Sequence, residues 1–322
     1  MLEKLGMACK PIVVVGSVNL DLVCTCRRIP SSGETVSGNS FQMFEGGKGA
    51  NQAVAIARLG YPVAVVAKVG DDEFGARLRA ALRVAGVAVE AVSVSKGIAS
   101  GVAMISADRQ GQNSIVVVPG ANGQMLPSDL DKATPLLRSA GMILTQLEIP
   151  IDTVEYLARL ANKFQVPLML DPAPAQPLRR RLLRGITYLT PNETEAISLG
   201  GGAGTFVKRS HARALAQKLL AKGPHNIVIK MGKQGSYLAG RDNRGLFTPA
   251  FKVRTVDSTA AGDAFNGALA VALMQGRSLG EAARFASAVA ALSVTREGAQ
   301  PSLPTATQVK SFLRNLPGSG PH

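Results

Sequence analysis

Short runs of consecutive apolar residues alternate along this chain with longer segments in which apolar residues recur every three or four positions. The short runs have the length of buried strands, and the longer segments have the period of helices packed on one side. Strands are predicted at residues 12–15, 63–69, 142–147, 167–170, 186–189 and 227–229. Helices are predicted at residues 49–59, 74–85, 153–164, 211–220, 264–274 and 279–295. This alternation predicts an α/β fold, a doubly wound and mostly parallel sheet flanked by helices.

Two stretches depart from this alternation. Residues 20–44 are β-prone and punctuated by glycine, while residues 101–106 and 114–118 flank a turn-like segment, which indicates a hairpin. We expect these stretches to form a small β-sheet lid, which would exclude water from a transfer reaction. The predicted divisions are a main α/β domain (11–19 with 46–97 and 121–316), a β-lid (20–45 with 98–120) and flexible termini (1–10 and 317–322).

The chain is strongly basic. Its 322 residues carry a formal net charge of +14, which favours anionic ligands. Only 4% of the residues are aromatic, and the basic residues are not interleaved with aromatic ones, so we expect no nucleic-acid partner. The densest basic cluster, at residues 179–184, fits a solvated helix face about as well as it fits a polyanion patch.

Cysteine content and hydropathy indicate where in the cell the protein is expected. Cys9, Cys24 and Cys26 cannot build a disulfide framework, and residues 1–10 lack the apolar stretch of an export signal. The longest apolar runs have strand length and are too short to span a membrane. We therefore expect a cytoplasmic protein without a membrane partner.

The most informative motif is the run Asp-Ser-Thr-Ala-Ala-Gly-Asp-Ala-Phe-Asn-Gly at residues 257–267. A helix N-terminus presents unpaired N–H groups that attract an anion, and Asp263 places a proton acceptor at that point. Transfer of a phosphoryl group to a hydroxyl needs both features. The alternative is that Asp263 is only a favourable residue for a first helical turn.

A second motif is the glycine-rich run at residues 45–53. Its glycines let the backbone approach a ligand closely, and Asn51 can both donate to and accept from hydroxyl groups. The run is not a Walker A loop, because Gly49 follows Lys48 where that motif needs Ser or Thr. A tight turn before a helix would also explain the glycines.

Segments 47–53 and 257–267 resemble the two signature regions of the PfkB carbohydrate-kinase family, and the resemblance extends from about Ile12 to the C-terminal helix. It implies ATP-dependent phosphorylation of a sugar, with the primary 5-hydroxyl of D-ribose as the expected acceptor and D-ribose 5-phosphate and ADP as products. Deoxyribose, a ketose or a nucleoside are the alternative acceptors. A non-catalytic sugar sensor is a further alternative, which the intact Gly262 and Asp263 disfavour.

The resemblance also implies roles for individual residues. Asp263 would be the catalytic base, and the backbone amides of Ala260, Ala261 and Gly262 would form an anion hole, with Ala260 tolerated if its φ angle is negative. Taken alone, Asp21 could instead cap a loop. The residues implied at the sugar, besides Asp263, are Asn19, Asp21, Gly47, Lys48, Asn51 and Glu148.

A further set is implied at the nucleotide. Many relatives carry Thr at position 230 and a larger polar residue at position 287, so this chain departs from the family pattern there. Residues 230–235 could equally form a plain hairpin turn, and Asn192 with Glu195 has the spacing of a capping box at an ordinary helix start. The implied nucleotide residues are Asn192, Lys230, Gly232, Gly235, Gly262 and Ser287.

The resemblance finally implies two metal ions. Mg²⁺ would contact Glu195 through water, since Mg²⁺ keeps most of its water ligands. K⁺ would act as a monovalent activator with hard oxygen ligands of low total charge, although Asp257 could simply cap a turn. The implied K⁺ ligands are the side chains of Asp257 and Ser302 and the carbonyls of Thr259, Ser293, Arg296 and Gly298.

A homodimer is also expected. Strands of a small lid have one face over the site and another toward solvent. An apolar face on the solvent side would favour a second copy that covers it. The expected partners are thus a sugar, ATP and a second copy of the chain through the β-lid.

Overall fold

The computed structural model describes residues 9–315 apart from 109, 111 and 242, so residues 1–8 and 317–322 of the predicted flexible termini lie outside the described residues. No helix in this part of the chain is long and apolar enough to cross a bilayer. The strands are β1 (Ile12–Val15), β2 (Asn19–Cys26), β3 (Gly38–Gly46), β4 (Val63–Gly70), β5 (Val92–Ser95), β6 (Gly101–Asp108), β7 (Asn113–Val118), β8 (Met142–Thr145), β9 (Leu168–Leu170), β10 (Tyr188–Leu189), β11 (Asn226–Lys230), β12 (Ser236–Gly240) and β13 (Asn243–Thr248). The helices are α1 (Lys48–Arg58), α2 (Glu73–Val84), α3 (Pro127–Lys132), α4 (Thr134–Ser139), α5 (Ile151–Phe164), α6 (Arg180–Arg184), α7 (Glu193–Leu199), α8 (Arg209–Leu220), α9 (Ala261–Met274), α10 (Leu279–Ser293) and α11 (Ala306–Arg314).

Nine of the described strands form one sheet, in the order β13-β12-β11-β10-β9-β8-β1-β4-β5. Neighbouring strands from β11 to β5 are parallel, and β12 and β13 are joined by antiparallel pairing. In β1, Ile12 and Val14 belong to one hydrophobic core while Val13 and Val15 belong to the other. A strand covered by helices on both faces reads as a continuous apolar run, and the predicted doubly wound α/β fold is confirmed.

Element boundaries differ from the prediction by a few residues. β8 ends at Thr145 and β10 contains only two residues, although Leu147 and Ile186 next to them are buried. Burial therefore continues beyond the last hydrogen bond of the ladder, which is why the apolar pattern overestimates strand length. α9 begins at Ala261, three residues before the predicted start, so that Asp263 lies in its first turn.

The strand order creates a crevice beside β1. The chain runs from β1 to β4 and β5 on one side, then returns to β8 on the other side and continues outward through β9, β10 and β11. Ligands of such sheets bind at the carboxyl ends of the strands where the winding direction reverses. Residues at or after the ends of β1, β8, β9 and β11 lie along this edge, including Ser17, Glu148, Asp171 and Lys230.

A second, smaller sheet contains four of the described strands in the order β3-β2-β6-β7. β2 pairs antiparallel with β3 and parallel with β6, and β6 and β7 form the predicted hairpin. The centre of the hairpin turn includes residues 109 and 111, outside the described part. The predicted second sheet is confirmed, and β2 connects it to the crevice through Asn19 and Asp21.

A close contact between two helices positions the start of α9. A Cβ atom at Gly267 would lie 2.9 Å from Ala55 Cβ and 3.0 Å from the Gln52 carbonyl oxygen, both on α1. Only glycine allows the two helices to approach this closely. The contact brings the first turn of α9 to the side chains of Asn51 and Gln52.

Candidate active site

A cleft of about 460 Å³ opens at the carboxyl ends of β9, β10 and β11, beside the N-terminus of α9. Its walls include Asp171 after β9, Glu195 in α7, Lys230 at the end of β11, and Gly262 and Asp263 in α9. These four separate stretches of sequence thus meet at one concave surface, the usual position of a ligand site in a doubly wound sheet.

Asp263 is buried in this cleft with its carboxylate fixed by two amide groups. Asn51 Nδ2 donates to Oδ2 at 3.1 Å, and Gln52 Nε2 donates to Oδ1 at 3.2 Å. Burial, the largest influence, raises the pKa of Asp263, and the charge of Lys48 lowers it, with a net upward shift. A carboxylate with a raised pKa is a better proton acceptor near neutral pH.

The backbone at the start of α9 differs from the sequence expectation. Ala260, the N-cap residue, has φ 58° and ψ 9°, so the negative φ angle that was the condition for an alanine at this position is not met. The left-handed conformation turns the chain sharply into the helix, at a cost of about 1–2 kcal/mol for a residue with a Cβ atom. Ala260, Ala261 and Gly262 all line the cleft, and the N–H of Ala261 donates to the Ser258 carbonyl at 3.2 Å.

Polar side chains on the lid side lie next to Asp263. Asp21 on β2 has a pKa raised to about 7, because it is buried and faces the carboxylates of Glu148 and Asp263. Asn51 Oδ1 is buried and has no hydrogen-bond partner among the described residues. An unpaired buried acceptor is costly unless a ligand donates to it, so this oxygen is available to a substrate hydroxyl.

Two predicted sugar residues are held by hydrogen bonds within the protein. Glu148 Oε2 accepts from Ser17 Oγ at 2.5 Å and from the N–H of Lys48, the first residue of α1, at 3.0 Å. Asn19 Oδ1 accepts from Asn122 Nδ2 at 2.7 Å. Both side chains are therefore fixed in place before any ligand binds, which lowers the entropic cost of binding.

The start of α1 packs directly on the end of β1 and the start of β2. Gly47 has φ 86°, and a Cβ atom there would lie 2.7 Å from the backbone nitrogen of Asn19. Lys48 follows and lines the cleft, where burial opposes its charge but four carboxylates together raise its pKa. These carboxylates are Asp263, Asp171, Glu148 and Glu195.

Lys230 and Asp171 form an ion pair in the wall of the cleft. Lys230 Nζ lies 2.8 Å from Asp171 Oδ1, and both side chains are largely buried. A Cβ atom at Gly262 would lie 3.5 Å from Lys230 Nζ, which is ordinary contact distance. The ammonium group thus lies beside the N-terminus of α9, where the helix amides and dipole already favour an anion.

Asn192 and Glu195 form the capping box at the start of α7. Asn192 Oδ1 accepts from the N–H of Glu195 at 2.9 Å, and Glu195 Oε2 accepts from the N–H of Asn192 at 2.8 Å. Both residues line the cleft, so the cap fixes their side chains at its wall. Burial raises the pKa of Glu195 and Lys230 lowers it, with a net upward shift.

The loop before α9 joins the end of α10. Asp257 Oδ1 accepts from the N–H and hydroxyl of Thr259 at 2.9 and 2.7 Å, and Oδ2 accepts from the N–H of Gly298 at 2.9 Å. The N–H of Asp257 donates to the Val294 carbonyl at 3.3 Å. Ser302 is fully buried in the adjoining turn. The predicted K⁺ residues therefore lie in adjoining loops, and Asp257 does cap a turn.

Two predicted nucleotide residues are not among the residues that line the cleft. Ser287 is buried within α10, and Gly235 packs on the Thr248 carbonyl oxygen, where a Cβ atom would lie only 2.1 Å away. Lys230 pairs with Ser236 between β11 and β12, so residues 230–235 do form a hairpin connection, with Lys230 and Gly232 at the cleft.

Comparison with known proteins shows to which family the chain belongs. The pfkB family carbohydrate kinase profile matches residues 10–306. The chain is 43% identical over 303 residues to the ribokinase of Bacillus subtilis, covering 94% of this chain and 99% of that protein. It is 36% identical over 304 residues to the deoxyribokinase of Salmonella typhimurium, covering 94% of this chain and 98% of that protein.

The chain belongs to the pfkB family of carbohydrate kinases.

A solved family member supports the fold. The structure of Arabidopsis thaliana ribokinase complexed with ribose and ATP superimposes with a TM-score of 0.90 at 35% sequence identity, covering 95% of this chain and 99% of that chain. This pfkB kinase therefore shares the whole architecture of the relative, including the large sheet and the separate small one. It transfers a phosphoryl group to an alcohol acceptor.

Sequence reasoning missed several residues of this pfkB kinase site. Asp171 directly follows the predicted strand 167–170, as Glu148 directly follows the predicted strand 142–147, so a signal was present. Gln52 lies inside a predicted helix and Gln146 inside a predicted strand. Their hydrogen bonds are visible only once α1, β8 and α9 are placed together.

Proposed function

We propose that the protein is an ATP-dependent ribose kinase that transfers the γ-phosphoryl group of ATP to the primary 5-hydroxyl of D-ribose, giving D-ribose 5-phosphate and ADP. The observation that carries the proposal is the buried carboxylate of Asp263 at the N-terminus of α9, next to unsatisfied Asn51 Oδ1 and the raised-pKa Asp21. A base, an anion site and a set of hydroxyl partners occupy one connected region.

At the sugar end, vicinal hydroxyl groups would be held by carboxylates and amides, which accept and donate in pairs. Asp21, Asn51 and Glu148 supply acceptors, and Asn19 and the backbone of Gly47 border the same region. The base Asp263 accepts the proton of the attacking hydroxyl as the oxygen forms its bond to the γ-phosphorus, and the bond from phosphorus to the β-phosphate oxygen breaks.

At the phosphate end, positive charge and backbone amides meet the transferring group. The N-terminus of α9 provides the backbone amides of Ala260, Ala261 and Gly262 as fixed donors, of which the Ala261 N–H is shared with the Ser258 carbonyl. Lys48 and Lys230 provide two cations that line the same cleft. Groups fixed before the reaction stabilise the developing charge without reorganising. Asn192 and Gly232 at the neighbouring walls would border the remaining phosphates, whereas Gly235 and Ser287 are not among the residues that line the cleft.

Mg²⁺ fits the donor chemistry of one cleft wall. Glu195 presents a carboxylate at the wall, but both of its oxygens already accept hydrogen bonds from Asn192, so contact through water suits it better than direct ligation. When bound with ATP, Mg²⁺ would neutralise phosphate charge. The role of Glu195 in this chain would be to hold that hydrated ion at the start of α7.

K⁺ fits the loops beside α9. The side chains of Asp257 and Ser302 and the carbonyls of the 259, 293, 296 and 298 positions are hard oxygen donors of low total charge, which suits a monovalent cation. Asp257 already bonds Thr259 and Gly298 and so joins these loops. An ion there would order the turn that leads into the Ala260–Gly262 amides.

A homodimer through the β-lid is supported by one face of the small sheet. Asp21 faces the cleft, and the next residue along β2, Leu22, therefore faces the opposite side. On that side Leu22 pairs with Met43 and Met104, and Met104 pairs with Val116. Met43, Met104 and Val116 are exposed by 38%, 48% and 56%. An apolar row of this kind is suited to a second copy of the same chain.

The state of the cysteines bears on where in the cell the protein acts. All three cysteines are free, which supports a cytoplasmic location.

The 36% identity to a deoxyribokinase favours 2-deoxy-D-ribose as the second candidate acceptor. The two sugars differ by a single hydroxyl group, so the polar partners of that group decide between them.

The test is a kinase assay of the purified protein with ATP, Mg²⁺ and a panel of acceptors: D-ribose, 2-deoxy-D-ribose, D-fructose and adenosine. We expect the highest kcat/KM with D-ribose, a 5-phosphate product by ³¹P NMR, and higher activity with K⁺ than with Na⁺. A preference for 2-deoxy-D-ribose would favour the second candidate, and turnover of none of the four acceptors would contradict the proposal.

A further inference from the structure

A buried glutamine behind the cleft connects two of its carboxylates. Gln52 Nε2 donates to Asp263 Oδ1 and to Asp171 Oδ2, both at 3.2 Å. Gln52 Oε1 accepts from Gln146 Nε2 at 2.7 Å. Gln52 is 1% exposed and is not among the residues that line the cleft, so its effect on a ligand passes through its two carboxylate partners.

The hydrogen bond from Gln146 determines which way the Gln52 amide faces. Because Gln146 donates, the oxygen of the Gln52 amide faces Gln146 and both amide hydrogens face the carboxylates. A reversed amide would direct its oxygen at Asp171 and Asp263 and repel both. Gln146 is itself confined, since its Oε1 packs so closely on Gly16 that a Cβ atom there would lie 2.1 Å away.

The charges around Asp263 show why such a donor matters. Three carboxylates face Asp263, namely Asp171 after β9, Glu148 after β8 and Asp21 on β2, and one cation faces it, Lys48 on α1. Like charges disfavour ionisation of Asp263, whereas hydrogen bonds to the charged form favour it. Gln52 supplies such a bond to Asp263 and to its neighbour Asp171 without adding another charge.

The same amide connects the two ends of the cleft. Asp171 Oδ2 accepts from Gln52, while Asp171 Oδ1 pairs with Lys230 Nζ at 2.8 Å beside Gly262. A displacement of Gln52 would therefore move both the base and the ion pair that borders the phosphate site.

We propose that Gln52, oriented by Gln146, is a positioning residue that holds the Asp263 carboxylate in its ionised, proton-accepting orientation and links it to the Asp171–Lys230 pair. The proposal rests on Asp263 as the base of the proposed function. It assigns to the helix α1 a role in the chemical step that is separate from sugar contact by Asn51 and Lys48.

The test is Gln52→Met, which keeps the length and volume of the side chain and removes its hydrogen bonds. We expect kcat to fall by about tenfold or more while the KM for sugar stays within about threefold. The acidic limb of the kcat–pH profile should move upward by about one pH unit, because the carboxylate loses a donor that stabilises its charge.

A matched control is Thr153→Val, which also removes one buried hydrogen bond, from Thr153 Oγ1 to the Met125 carbonyl at 2.6 Å. It should lower thermal stability and leave kcat and the pH profile unchanged. A structural role for Gln52 alone would give the same pattern as this control, so a wild-type kcat and pH profile in Gln52→Met would overturn the proposal.

Gln146→Leu keeps the proposal testable if Gln52→Met does not fold. Loss of the orienting donor should move the acidic limb of the kcat–pH profile upward, by less than in Gln52→Met. An unchanged acidic limb in Gln146→Leu would overturn the proposal. Wild-type protein that phosphorylates no sugar would instead contradict the proposed function. An active wild type with unaffected variants would contradict only the positioning role.

Discussion

Burial of carboxylates next to one another is the main residue-scale feature of this cleft. Asp21, Glu148 and Asp263 lie close enough to influence one another's charges on the lid side, with Asp263 buried and the other two half-buried. Burial and like charge raise a carboxyl pKa, which brings a base closer to the working pH. The same charges destabilise the ligand-free protein, so ligand affinity and stability are opposed at these positions.

Asp21→Asn tests this opposition. The folded pKa of Asp21, about 7, lies above its ordinary value of 3.8, so its contribution to stability is fully present below about pH 4 and is lost as the pH rises through 7. At pH 8 the neutral variant should be more stable than the wild type by roughly 2–4 kcal/mol, and at pH 4 the difference should vanish. Denaturant unfolding at both pH values measures this, and a variant that is no more stable at pH 8 would contradict it.

The left-handed Ala260 provides a second residue-scale prediction. Ala260→Gly should stabilise the protein by about 1 kcal/mol and raise the melting temperature by about 2 °C, because glycine adopts this conformation without strain. Gln165→Gly is a matched control, since Gln165 is the other described non-glycine residue with positive φ (56°) and caps α5 outside the cleft. Differential scanning calorimetry should show a similar rise in melting temperature for both variants. A lower melting temperature for Ala260→Gly would contradict backbone strain at Ala260.

The sequence predicted residues whose position follows from a motif or a strand end, and missed those defined by contacts. Asp263 and Glu195 were identified from local patterns, and their burial at the cleft follows from where the strands and helices end. Gln52 and Asn122 were missed, because an amide inside a helix or after a lid strand has no local signal. The positive φ angle of Ala260 was missed, since a left-handed N-cap depends on how α9 meets the loop before it.

At the scale of elements, the contact of α9 with α1 determines where Asp263, the proposed base, lies. Gly267 on α9 faces Ala55 and the Gln52 carbonyl on α1, one turn beyond Asp263. Asn51 and Gln52, on the same surface of α1, bond the Asp263 carboxylate. The packing of the two helices therefore determines how closely the Asp263 carboxylate approaches its hydrogen-bond donors.

Gly267→Ala should separate the helices slightly. The added Cβ atom would lie 2.9 Å from Ala55 Cβ and 3.0 Å from a backbone oxygen, so we expect a loss of about 1–3 kcal/mol of stability and a lower kcat. Gly280→Ala in α10 is the control, because the nearest atom there is the tip of Leu246, a half-exposed side chain that can move. Equal stability and kcat in Gly267→Ala and the wild type would show that the close approach is dispensable.

Element types were more predictable than their ends. The continuous apolar run of β1 and the glycine-punctuated lid strands were recognised, because burial on both faces and alternation on one face leave different patterns. The ends of β8 and β10 were not, since Leu147 and Ile186 are buried outside the ladder. The pairing of β2 with both β3 and β6 depends on long-range contacts that no local pattern encodes.

At the scale of the whole molecule, the exposed face of the lid points to assembly. Met43, Met104 and Val116 form an apolar row across the small sheet on the side away from Asp21. Edge strands with exposed apolar residues pair with other chains unless they are covered. A second copy would cover the row and could fix the lid over the sugar.

Val116→Glu should disrupt this contact, because a buried unpaired charge is costly at an interface. We expect light scattering to show a dimer for the wild type and a monomer for the variant at micromolar concentration. Val84→Glu is the matched control, as Val84 at the end of α2 is 89% exposed and belongs to a helix rather than to the small sheet. A wild type that is monomeric, or a dimer unaffected by Val116→Glu, would contradict an interface through this face.

The most direct test of phosphoryl transfer by this cleft is the turnover of Asp263→Asn with D-ribose and ATP, measured beside the sugar affinity of the same variant. The substitution keeps the shape of the side chain and removes its ability to take a proton. We predict a fall in kcat of about 10²–10⁴-fold with a sugar dissociation constant within about threefold of the wild type. A kcat within a few-fold of the wild type would contradict the assignment of Asp263 as the base.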